Sequence, residues 1–167
     1  LRLQADHVDV VVLDITLQGG YWPEAQRVQQ VLMAEFLPHF RTIAWIDEAV
    51  GGAAMAFAVV PEIYFRPSAI YGPCPVSSEA SACTPWITGA VGGVAVAADP
   101  VVRAMRDACT VGGHDFLVMR SMMLPLPLSA HINAGDSTIV LAPDEQPGWT
   151  INPSGRLLTL NASSAVR

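Results

Sequence analysis

An α/β fold with parallel strands and crossover helices is predicted by three observations. Short β-branched apolar runs alternate with segments of helical period. Glycine and proline punctuate the joins between them. Hydrophobic residues make up 51% of the 167 and charged residues 14%, so most of the apolar surface must be buried against the protein itself or a partner. One domain with a single core suits this length.

The first element is Val8 to Ile15, VDVVVLDI, a β-branched run that predicts a strand buried on both faces. Gln18-Gly19-Gly20 ends it. Pro23 suits a first helical turn, and Ala25, Val28, Leu32 and Phe36 recur at helical spacing, so an amphipathic helix is expected over 23–37, closed by Pro38. Thr42 to Ile46 reads as a second buried strand. Gly51 to Val59, GGAAMAFAV, is small and apolar on every side and predicts a helix packed inside the protein. Ile63 to Phe65 is a third strand. This alternation argues for parallel pairing through crossovers.

The second half is more broken. Pro67 to Gly93 is rich in Pro, Gly, Ser and Thr and reads as a long loop region. Asp99 caps a helix with Pro100 at its first position and Gly112-Gly113 past its end. A further helix spans about His114 to Met123 and stops before Pro125. Thr138–Leu141 and Leu157–Leu160 are short strands, read as a hairpin, and Asn161 caps a last helical turn. The chain starts at Leu1, and one domain over 1–167 with its opening strand missing is expected.

Composition excludes several function classes. The net charge is −6 and all nine cations are scattered Arg, with no Lys, which speaks against nucleic acid. Cys74, Cys83 and Cys109 form neither an even framework nor a CxxC motif. Cys74 and Cys83 could pair, but free buried thiols are expected. No apolar run reaches the length of a membrane span, and no signal peptide is seen. No HxxxH or HExxH spacing offers a metal site, and no cofactor is expected. Gly89 to Gly93 is not a dinucleotide fingerprint. His114 is read as a capping or packing residue, His39 and His131 as exposed, and Met119, Met122 and Met123 as core or interface filler.

Three segments in order resemble the ClpP/crotonase superfamily, closest to signal peptide peptidase A and NfeD-like serine peptidases. VVVLDITLQGG resembles the family's first strand and its Gly-Gly loop. TIAWIDEAVGGAAMAFAVVPEIYFRPSAIYG resembles a strand, the buried helix bearing the nucleophile, and the strand and turn after it. GRLLTLNASSAVR is similar to a C-terminal stretch of NfeD-like members. The resemblance implies a ClpP/crotonase-like fold and assembly into homo-oligomers or with a related subunit. It also implies a nucleophile, a base and two oxyanion N–H groups.

On this alignment Gly51 occupies the nucleophile position and has no side chain to attack with. Gly52 and Gly20, with Gly19 beside it, remain as oxyanion N–H donors. Arg103 and Arg106 stand in the region of the family's Lys, and Arg cannot act as a base near neutrality. The loop Ser68 to Val76 lacks the His of the ClpP branch. The resemblance therefore implies a serine-peptidase homologue that has lost hydrolysis and acts as a binding or assembly subunit, with a peptide as the ligand of its cleft. Two alternatives stand beside it. One is a crotonase-like acyl-CoA enzyme using the oxyanion hole and a carboxylate, Glu48, Glu62 or Glu79. The other is an active endopeptidase with an unrecognised nucleophile, for which Ser68, Ser77, Ser78 and Ser121 are the serine candidates near the site region.

Overall fold

The computed structural model describes residues 7–73, 90–91, 94–95, 99–144 and 148–165. Its first half follows the predicted alternation. β1 (Val10–Gln18) leads to α1 (Trp22–Val31), which continues as a π-helical turn over Leu32–Phe36. β2 (Arg41–Val50) leads to α2 (Gly52–Ala56), extended by a 3-10 turn over Phe57–Val59, and then to β3 (Glu62–Gly72). β1, β2 and β3 pair in parallel, and the short β9 (Leu160–Asn161) adds to β3 antiparallel. The fold is thus mixed α/β around a mostly parallel four-stranded sheet.

The strands run longer than their apolar runs indicate because the register steps. Pairing shifts between Ile15 and Thr16 on β1 and between Ile46 and Glu48 on β2, so Ile46 pairs with Phe65 and Glu48 with Ile70. Pro67 falls in the unpaired stretch of β3, where its missing N–H costs no ladder bond. The expected loop over Pro67–Gly93 is therefore corrected at its start: Pro67 to Gly72 is strand. Cys74, Ser77, Ser78, Cys83 and Glu79 lie outside the described residues, as do Gly89 and Gly92-Gly93. Two short antiparallel strands, β4 (Ala90–Val91) and β5 (Val94–Ala95), are described on either side of Gly92-Gly93.

α3 (Asp99–Gly112) and α4 (Phe116–Met123) match the predicted helices. Gly113 adopts φ +72° beyond the first, and the Asp115 carboxylate caps the second by accepting from Leu117 N at 2.8 Å. The predicted pairing of 138–141 with 157–160 is wrong. β7 (Ile139–Ala142) pairs with β6 (Leu128–Ile132), whose other edge takes β8 (Trp149–Asn152), forming a small antiparallel sheet. The 157–160 segment instead reaches back to β3. Asn161 caps α5 (Ala162–Ala165), its Oδ1 accepting from Ser164 N at 2.9 Å.

The core lies between one face of the parallel sheet and the helices. Ile15, Ala44, Ile46 and Ala49 face α2 and the 3-10 turn, and every residue from Gly51 to Val60 is buried. Small side chains let this segment sit against backbone. Gln29 ties three elements together from α1: its buried Nε2 donates to Met55 O at 2.8 Å and approaches Met105 Sδ at 3.5 Å. Met119, Met122 and Met123 fill the core as expected.

One expectation about β1 fails. It is not buried on both faces: among the described residues it forms an edge of the sheet, and its even-numbered residues face away from the helices. Val10 is 43% and Val12 57% exposed.

Candidate functional site

The three parallel strands end at one level, and backbone hydrogen bonds stitch their ends. Gly19 N donates to Val50 O at 2.9 Å, and Gly51 N donates to Gly72 O at 2.9 Å. The chain then enters α2, with Ala53 N donating back to Gly19 O at 3.2 Å. Gly51 turns strand into helix at φ +69°, ψ −129°, a conformation that a side chain strongly disfavours.

The two glycine pairs meet at this turn. A Cβ built on Gly52 would lie 2.6 Å from Gly20 O and 2.8 Å from its carbonyl carbon. Only glycine at 52 permits this approach of loop to helix. The N–H groups of Gly20 and Gly52 have no acceptor among the described residues. Beside them opens a cleft of about 190 Å³, lined by Gly19, Gly20 and Gly52 and, among others, by Gln18, Glu24 and Phe57.

The polar groups near the cleft are few. Glu24, on the first turn of α1, accepts from Tyr21 N at 2.6 Å. Sequence reading missed it; its place three residues after Tyr21, just inside a helix start, was the available signal. Gln18 donates to Glu48 Oε1 at 2.7 Å, so Glu48 stands beside a cleft residue. Glu62 does not: it lies at the opposite end of β3, held by Arg41 at 2.6 and 2.7 Å and by Tyr64 at 3.2 Å. The Arg41 guanidinium holds the Glu62 carboxyl below its ordinary range.

Arg103 and Arg106 are not brought to the glycines. The buried face of α3 (Val101, Met105, Ala108 and Cys109) belongs to the core, whereas both Arg are exposed. The Arg106 guanidinium stacks over the Phe116 ring, 4.9 Å from its centre. Neither lines the cleft. Among the described serines, Ser68 is exposed and donates to Asp47 Oδ1 at 3.3 Å, and Ser121 is fully buried.

A second cavity, about 310 Å³, lies past the other end of the helical segment. Tyr71, Cys109, His114 and Asp115 contribute to its lining. His114 is a packing residue, its ring Nε2 2.7 Å from Val60 O. Burial, with a smaller push from the Asp115 carboxylate, raises the Cys109 thiol to about 11. A thiol held neutral this way is not a nucleophile at neutral pH. His131 is half-buried rather than exposed, because it lies on β6, in the middle of the small sheet. Among the described residues, no cluster of His, Cys, Asp and Glu could hold a metal ion, and no helix is long and apolar enough to cross a membrane.

No protein-family model, no curated protein and no solved structure matches this chain.

Proposed function

We propose that the chain is a ClpP/crotonase-superfamily domain related to signal peptide peptidase A and NfeD-like peptidases, one that has lost peptide hydrolysis and serves as a binding or assembly subunit. The observation that carries this reading is the packing of Gly20 on Gly52 where the buried helix begins. Two N–H groups without acceptors among the described residues stand there beside a cleft. That is the equipment for holding an oxyanion or a peptide carbonyl. Gly51 supplies no nucleophile, and neither Arg103 nor Arg106 reaches the cleft.

A serine-reactive fluorophosphonate probe tests the proposal. No labelling is expected, and no casein cleavage, in the native chain or in Gly51→Ser. Stoichiometric labelling of any serine in the native chain overturns it.

One observation favours the crotonase-like reading as runner-up. Glu24 lines the cleft that the glycines open, and Glu48 adjoins it through Gln18, so a carboxylate and an oxyanion cradle are neighbours. Coenzyme A raising the melting temperature would move the assignment to that reading; an unchanged melting temperature removes it.

A further inference from the structure

The cavity past the far end of the buried helical segment has the make-up of a small-molecule site. Its volume, about 310 Å³, falls at the lower end of the range such sites occupy, roughly 300–1,000 Å³. Most of its wall is apolar: Ile63 and Phe65 from β3, Val118 and Met119 from α4, and Leu160 from β9. The Phe65 and Tyr71 rings stand edge to face there, 5.8 Å apart and at 87°. An apolar group entering this lining leaves water, which favours its binding.

The polar side chains of the lining are committed donors or open acceptors. The Tyr71 hydroxyl donates to Ala54 O at 2.7 Å. His114 Nε2 carries the proton, because the Val60 carbonyl 2.7 Å away can only accept. In the neutral ring Nδ1 is then an acceptor. Asp115 Oδ1 accepts from Leu117 N at 2.8 Å, and its Oδ2 has no partner among the described residues. The Cys109 thiol is a weak donor. No cation offsets the carboxylate among the described residues. No Arg lines the cavity, and Arg106 stacks over the neighbouring Phe116 ring without forming an ion pair with Asp115. The field of the carboxylate reaches into the cavity, where it adds to the upward push that burial gives the Cys109 thiol.

We propose that this cavity binds a small hydrophobic amine, its apolar body among Phe65, Val118 and Met119 and its ammonium at the Asp115 carboxylate. An ammonium is donor-only and matches a lining that offers acceptors. The aromatic pair adds a surface that favours a cation or a ring. An acidic ligand of the same shape would meet the Asp115 charge with nothing to neutralise it. The site binds and does not react, because its thiol, imidazole and phenol are held in neutral or hydrogen-bonded states.

This site rests on neither the glycine cleft nor peptidase ancestry, so its failure leaves that reading untouched. Three probes of similar shape test it: phenethylamine, phenethyl alcohol and phenylacetate, titrated into the full chain at neutral pH. Methionine methyl NMR signals locate the binding. The Met119 signal is expected to shift with the amine, and that of Met33, which does not line the cavity, to stay in place. The amine is expected to bind about fivefold more tightly than the alcohol, the scale of a partly exposed ion pair, and the acid more weakly than either. Asp115→Asn keeps a residue that caps helices well. It is expected to lower amine affinity to that of the alcohol and to leave the alcohol unchanged. Val118→Trp fills the cavity and should abolish binding of all three. An unmoved Met119 signal at millimolar amine overturns the proposal. So does phenylacetate binding as tightly as the amine, or an Asp115→Asn variant that keeps the preference for amine. A native chain that sediments as a dimer and takes up none of the probes overturns it in favour of a second copy over the cavity.

Discussion

The buried segment Gly52–Val59 has two unlike ends. At its start, backbone meets backbone: Gly20 lies on Gly52, with the Glu24 side chain lining the cleft beside them. At its finish, side chains crowd a cavity, among them a thiol, an imidazole and a phenol. The end that is rich in chemical groups is the quieter one. The Cys109 thiol is held neutral, the His114 ring sits against the Val60 carbonyl, and the Tyr71 hydroxyl donates to Ala54 O at 2.7 Å. The end with a single carboxylate, Glu24, in its cleft keeps two amide donors that have no acceptor among the described residues. Capacity to bind a ligand here rests on how the main chain is shaped, and the nearby side chains mainly hold it in place.

This contrast can be tested by substitution, and the largest effect is expected at Gly52. Gly52→Ala sets a methyl against the Gly20 carbonyl, which backbone cannot easily yield, and should destabilise by about 3 kcal/mol in urea unfolding. A cost near zero would mean that loop and helix are not held together as described. Gly51→Ser must adopt a positive φ at a buried position, so a loss of about 2 kcal/mol is expected, without any gain of hydrolysis. At the other end, His114→Ala leaves the Val60 carbonyl without its donor and should cost about 1.5 kcal/mol. A loss there as large as at Gly52 would erase the distinction between the two ends.

The smallest effect is in pH dependence. Tyr71 and Cys109 are both raised above their ordinary values by burial. A free thiol ionises near ~8.5, whereas Cys109 in the fold holds its proton to about 11. Between those values the folded state binds more protons than the unfolded chain, so stability falls as pH rises. Urea midpoints measured from neutral to alkaline pH should decline through this window, and Cys109→Ala should flatten part of the decline. An unchanged profile in that variant would place the thiol outside the closed cavity.

Much of the first half was legible in the sequence because its signals are local. Gly19-Gly20 and Gly51-Gly52 mark strand ends, Asp99-Pro100 opens a helix, and Asn161 caps one. Each is fixed by residues within a turn of one another. The errors involve distant partners. Val10 and Val12 have the composition of a doubly buried strand, yet they face outward because, among the described residues, helices cover one face of the sheet only. Pro67 reads as a strand breaker, but the register step opposite Asp47 leaves it no bond to break. Leu157–Leu160 looks like the mate of a nearby strand, but only its last residue, Leu160, is strand, and together with Asn161 it pairs with β3, whose residues lie far back in sequence. For the site, the sequence marked the glycines that meet. It did not mark Glu24 at the cleft, nor that Arg103 and Arg106 turn away from it, because the facing of a helix is set by what packs beneath it.

The packing behind Gly72 has a consequence for the order in which the molecule assembles. Gly72 accepts from Gly51 N, and a Cβ at Gly72 would lie 2.9 Å from the Thr159 Cα. The turn at Gly51 is therefore backed by Gly72, and Gly72 by Leu158 and Thr159, more than eighty residues later in the sequence. Contacts separated by this much sequence carry a high loop-closure cost and form late. β1, β2 and β3 can pair before the 157–161 segment packs on Gly72, because their contacts lie closer in sequence. Amide exchange at Gly51 should accordingly follow the docking of residues 157–161, making that one proton a reporter of whether the last strand has closed.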